Sequence, residues 1–135
     1  MRALRCVLLV MCVACDGGGE TPPTEDAPGI LGTEGTVLFS VREVAPTQQG
    51  SNTFNALLKS ARESAPLTDA DITVEVTMPA HGHSSSTIPV VRNLGEGRYD
   101  VDQVVFTMPG TWEVVWHVVT TSGIHDHQTY SYEIE

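Results

Sequence analysis

Two runs of this chain carry a large apolar residue at every second position. In the first, Ile72, Val74, Val76 and Met78 alternate with Thr73, Glu75 and Thr77. In the second, Trp112, Val114, Trp116 and Val118 alternate with Glu113, Val115 and His117. A period of two belongs to a strand with one face buried, and no helix can present such a pattern on one side. Each run also stops at turn chemistry: Pro79 after the first, Ser122-Gly123 after the second. Any fold for this chain must therefore contain at least two half-buried strands.

The rest of the chain repeats the theme. Thr36 to Val44 is rich in β-branched and aromatic residues and ends at Ala45-Pro46, a first strand. Thr87 to Arg92 contains Pro89, which cannot donate to a ladder and so points to a sheet edge. Arg98 to Met108 alternates twice, with a change of phase near Asp102-Gln103 that calls for a bulge or a bend. Thr53 to Arg62 is ambiguous: Phe54, Leu57, Leu58 and Ala61 fall at helical spacing, whereas Phe54, Ala56 and Leu58 would share one face of a strand. Ala80 to Ser86, with Gly82 and three serines, reads as a flexible loop. About seven short strands separated by turns argue an all-β, immunoglobulin-like antiparallel sandwich.

Register at the last hairpin can be derived. A two-residue loop at Ser122-Gly123 would pair Trp116 with Thr129 and Val115 with Tyr130, mixing the faces. A slip of one residue pairs Trp116 with Tyr130 or Gln128 and keeps the apolar set together. His117, His125 and His127 then emerge on the face away from the tryptophans, with His117 opposite or diagonal to His127.

The chain begins with an address. Arg2 and Arg5 precede an apolar run from Val7 to Ala14. That run is far short of the roughly 20 residues that span a bilayer, and it has the length of a signal-peptide core. Val13-Ala14-Cys15 resembles the lipobox of bacterial lipoproteins, with Cys12 standing where that motif usually has Leu. The resemblance implies lipidation of Cys15 and a cell-envelope lipoprotein on the periplasmic side of the inner or outer membrane; the alternative is plain secretion with cleavage near Ala14. The expected organisation is a signal peptide over 1–14, a disordered acidic Gly/Pro-rich tether over 15–35 and a sandwich domain over 36–135.

All three cysteines, Cys6, Cys12 and Cys15, lie in or at the end of the leader, so the domain must stand without a disulfide, a thiolate zinc site or a Cys nucleophile. The formal charge of −10 becomes about −12 once Arg2 and Arg5 are removed. The remaining cations form no cluster, which argues against nucleic acid as a partner. Ser84-Ser85-Ser86 lies beside His83, but no nucleophile elbow or orienting acid accompanies it, and we expect no enzymatic activity.

The densest chemistry is Thr77-Met78-Pro79-Ala80-His81-Gly82-His83. A Gly between two His lets both imidazoles face one ion, and Met78 and Met108 offer thioethers, a set that suits copper and, through sulfur, Cu(I). The competing reading makes Met78 and Met108 core filler, since both fall in phase with apolar residues, and the His-Gly-His a solvated turn. His117, His125 and His127 are a possible second cluster, or simply a wet sheet face.

A family resemblance rests on an ordered set of features. These are Gly50-Ser51-Asn52-Thr53-Phe54, Pro66-Leu67-Thr68-Asp69-Ala70, Val76 to His83, Gly95-Glu96-Gly97-Arg98-Tyr99, Phe106-Thr107-Met108-Pro109-Gly110 and Trp112-Glu113-Val114. Over roughly residues 36 to 121 the chain resembles the YtkA-like domain, an exported module similar to the FixH family and to CopC-like sandwiches. The resemblance implies a strand for Thr53 to Arg62, an all-β sandwich, and a link to copper handling or cytochrome oxidase assembly. The expected function is a membrane-tethered binding module holding copper through the His81 and His83 loop, or working with a periplasmic protein partner. The alternative is a lipid-anchored protein-interaction domain with no metal.

Overall fold

The computed structural model describes residues 28–135. The leader, Cys15 and the tether as far as Ala27 lie outside the described residues. Among the described residues seven strands have ordinary length: β2 (Val37–Glu43), β3 (Gly50–Ser60), β4 (Ala70–Met78), β6 (Val90–Gly95), β7 (Arg98–Phe106), β8 (Gly110–Thr120) and β9 (His125–Ile134). Two strands of two residues, β1 (Ile30–Leu31) and β5 (His83–Ser84), extend the edges. One sheet has the order β1-β2-β3-β7-β6 and the other β5-β4-β8-β9, all neighbours antiparallel. Without β1 and β5 the two layers hold four and three strands, the strand count of a constant-type immunoglobulin sandwich.

The alternating residues make the core. Val74, Val76, Met78, Trp112, Val114, Trp116 and Val118 from the β5-β4-β8-β9 sheet meet Phe39, Phe54, Leu58, Val101, Val104 and Phe106 from the other. Aromatic rings lock the layers: Phe54 lies 5.3 Å from Tyr132, and Phe106 lies 5.7 Å from Trp112, centroid to centroid. Each fully buried large side chain contributes about 1.5–3 kcal/mol, which is how a domain without disulfides holds together.

Thr53 to Arg62, ambiguous by pattern, is strand through Ser60, with Phe54, Ala56 and Leu58 buried. Tertiary packing overrides local helix propensity here, because Phe54, Ala56 and Leu58 face the opposite sheet. The phase change is a bulge: Asp102 and Gln103 together oppose Thr53, and Gln103 takes a φ of 61°. The last hairpin adopts the slipped register, with Trp116 opposite Gln128 and His117 opposite His127. Pro89 lies just outside β6, which begins at Val90 rather than Thr87 and does run along an edge.

Two expectations are corrected. The disorder expected over 15–35 does not hold at its C-terminal end, where Ile30 and Leu31 pair with Phe39 and Leu38. The turn that follows is fastened to the far sheet through the Asp126 side chain, with the Thr33 N–H also donating to the His127 carbonyl. Asp126 is buried and accepts main-chain N–H groups from Glu34 (2.7 Å), Thr36 (2.8 Å), Val37 (2.9 Å) and its neighbour His127 (2.8 Å). Burial pushes its carboxyl pKa up, but those four donors outweigh burial and hold it below the ordinary value. Gly32 is itself buried, and a Cβ there would run into the Asp126 carboxylate. The acidic composition of 16–35 hid this because the partner carboxylate is 90 residues from Thr36 in the chain.

The second correction concerns Ala80 to Ser86. It is not a loose loop but a tight return that pairs back onto β4.

Candidate metal site

β4 delivers Met78 to one end of the sandwich, and Pro79 then ends the ladder. Proline has no N–H and disfavours a helical residue before it, so Met78 stays extended (φ −118°, ψ 90°) while Pro79–His81 forms a single 3₁₀ turn. Gly82 closes that turn in the left-handed region (φ 63°, ψ 27°), its N–H donating to the carbonyl of Met78 at 3.0 Å. Glycine adopts this conformation without the roughly 1 kcal/mol or more that a Cβ would add. The chain then reverses: His83 pairs with Met78, Ser84 with Thr77, and the Ser85 N–H reaches the Val76 carbonyl at 2.8 Å.

This return sets the two imidazoles side by side at the rim. Both residues are exposed, with ring centroids 5.9 Å apart and planes at 67°. Two imidazoles sharing one ion at bonds of about 2 Å would have centroids roughly 5 Å apart at a tetrahedral angle and roughly 6.5 Å apart when opposed. The observed separation lies between those limits. His83 also makes a T-shaped ring contact with the buried Trp112, with centroids 5.6 Å apart, which steadies one of the two imidazoles.

Met78 shares the inner face with His83, because directly opposed residues of an antiparallel pair point the same way. Its side chain is buried, and its terminal methyl occupies the space where Gly110 would carry a Cβ. Met108 is half-buried against the core, and its carbonyl accepts the Trp112 indole N–H at 2.9 Å. The structure thus brings His81 and His83 together, puts Met78 on the same side as His83, and gives Met108 a packing role.

The second cluster divides. His117 and His127 are directly opposed on the outer face of the β5-β4-β8-β9 sheet, their rings nearly parallel (24°) with centroids 5.9 Å apart. His125 stands two residues before His127 on β9, opposite Val119, and makes no ring contact with either among the described residues. Sequence reasoning missed Glu75. The β4–β8 register sets it diagonal to His117, with a carboxylate oxygen 3.8 Å from the His117 Nε2. β4 and β8 are far apart in the chain, so no local signal fixes that register.

Among the described residues, no three His, Cys, Asp or Glu side chains are already gathered round one point as a metal centre. The thioether of Met78, outside that set of donor types, lies on the same face as His83.

No curated protein matches the chain. The YtkA-like family model matches residues 33–117, which is well over half of the sequence and spans the sandwich from the turn before β2 almost to the end of β8. By that match, the chain belongs to the YtkA-like family.

Proposed function

We propose that this protein is an exported module, lipid-anchored at Cys15, that holds copper(I) at the rim of its sandwich through His81, His83 and Met78. The observation that carries this reading is the hairpin return at Gly82, which leaves two imidazoles at a separation compatible with a shared ion and pairs a thioether-bearing residue with one of them. Two imidazoles and one thioether suit a soft monovalent copper better than zinc or calcium. The acidic surface adds to the local concentration of cations. A rim site at the end of a tethered domain can pass its ion to a partner, in keeping with a role in metal handling or oxidase assembly on the exported side. In this reading the protein is a carrier, not an enzyme.

A second reading, a protein-interaction domain without metal, draws on the edge strand β6, where Val90 and Leu94 are exposed and Ile88 just before it is 84% exposed. Copper(I) titration against a competing chelator separates the two. The fragment should begin at Pro28, since β1 and the Asp126 contacts belong to the fold. The metal reading expects one copper(I) per protein and a loss of about tenfold or more in affinity when His81 and His83 become Ala. Unchanged binding in that variant, or no uptake at micromolar metal, favours the interaction domain.

A further inference from the structure

We propose that Glu75, His117 and His127 form a second cation site, for a divalent ion of the zinc(II) type, on the outer face of the β5-β4-β8-β9 sheet. This goes beyond the copper reading, uses none of its residues and lies on the face turned away from the tryptophans.

Three observations meet at His117. Its Nε2 is shielded from solvent and has no hydrogen-bond partner among the described residues, although the residue as a whole is only half-buried. Buried polar nitrogens normally find a partner, so an orphan on a sheet face calls for an explanation. The nearby Glu75 carboxylate oxygen is 3.8 Å away. That is too long for a hydrogen bond, yet it falls inside the span of roughly 4 Å that an ion bonded to both at about 2 Å would bridge. Finally, the His127 ring lies 5.9 Å from the His117 ring, within the range of two imidazoles that can serve one ion.

The scaffold beneath is rigid. His117 lies on β8, an inner strand of its sheet, and is directly opposed to His127 on β9. The backbone of His127 is held on both sides, its N–H donating to Asp126 and its carbonyl accepting from Thr33 at 2.9 Å. Side-chain rotation of His127 and Glu75 is what gathers the three donors round one point. Two imidazoles and a carboxylate with an open fourth position is a donor set that zinc accepts, with water completing the coordination. The bland alternative, a surface His–Glu pair, would contribute little at this distance and would leave the opposed His127 without a role. His127 lies beyond the residues matched by the family model, whereas Glu75 and His117 lie within them.

The test is titration of Zn²⁺ into the purified protein at neutral pH, followed by calorimetry and by the imidazole NMR signals of each His. The expected result is that the His117 and His127 signals shift together at one equivalent. His117→Asn or His127→Asn should weaken that event about tenfold or more, and Glu75→Gln several-fold. The His81→Ala/His83→Ala variant should leave it intact, which separates failure here from failure of the copper reading. These side chains lie on the outer face, and an unfolding curve for each variant shows that its fold is retained. The proposal is overturned if His117 and His127 signals do not move at millimolar Zn²⁺. It is equally overturned if the His117→Asn/His127→Asn double variant binds as the wild type does.

Discussion

Replacing Asp126 by Asn should unfasten the N-terminal segment from the sandwich. The carboxylate accepts Glu34 and His127 on one oxygen and Thr36 and Val37 on the other. An amide can satisfy only one side, and its NH₂ then confronts two N–H donors. Hydrogen bonds to a charged acceptor contribute about 1.5–3 kcal/mol each, so two lost bonds, less the relief of no longer burying a charge, amount to about 3 kcal/mol. For a domain of ordinary stability that is a large fraction of the total. With a urea slope of about 2 kcal/mol/M the midpoint should fall by about 1.5 M. Gly32→Ala attacks the same carboxylate from the other side, so the double variant should lose clearly less than the sum of the singles. The pH dependence carries the same sign. The folded pKa of Asp126 is depressed, so its contribution is complete above the unfolded value of 3.8 and disappears as pH falls through the folded pKa. Asp126→Asn should flatten the acid limb of stability in that window. A midpoint change under about 0.5 M, or full additivity with Gly32→Ala, would show that the segment is not held by this carboxylate.

Three further outcomes follow from the core. Trp112 and Trp116 are both fully buried, but among the described residues only the Trp112 indole has a partner, the Met108 carbonyl. Trp116→Phe should therefore cost about 1–3 kcal/mol less than Trp112→Phe in chemical denaturation, and equal costs would refute the assignment. Tyr130 is pushed up to about 12 by burial and the Glu43 carboxylate, and Tyr132 is raised for the same reasons. Stability should hold up to the unfolded tyrosine value of about 10 and fall as pH rises toward the folded one, read by far-UV circular dichroism; a flat profile from about 10 to 12 would count against it. Gly110→Ala sets a Cβ against the Met78 methyl at a positive φ of 128°, so it should weaken copper(I) binding several-fold if Met78 is a ligand, and leave it unchanged if Met78 only fills the core.

The fold was largely legible because burial imposes a period of two. The runs ending at Met78 and at Val118 required half-buried strands, and the same burial selected the register that sets His117 opposite His127. The bulge at Asp102-Gln103 was legible for that reason too, as a break in phase. What escaped were contacts with no local signature. Asp126 looks like any polar residue between two His, and Ile30-Leu31 like a stray apolar pair in an acidic coil, until the sheet brings them to their partners. Composition misled in a different way at His83 and Ser84. They sit in a Gly- and Ser-rich stretch of the kind that makes loops, yet the left-handed turn at Gly82 returns them to the sheet. At the candidate site the sequence supplied the donor types, and the structure adds that His81 and His83 lie side by side with Met78 opposite His83. Sequence placed Met78 and Met108 alike in phase with the core, whereas in the structure Met78 is buried and paired with His83 and Met108 is half-buried.

X-ray absorption on the copper(I)-loaded protein would read the proposed donor set of His81, His83 and Met78 directly. Copper(I) held by these three residues gives two imidazole nitrogens at about 2 Å and one sulfur at about 2.3 Å. The sulfur should vanish in Met78→Leu and the imidazoles in His81→Ala/His83→Ala. A spectrum with nitrogen and oxygen donors alone, or a sulfur that persists when Met78 is replaced, would contradict that assignment.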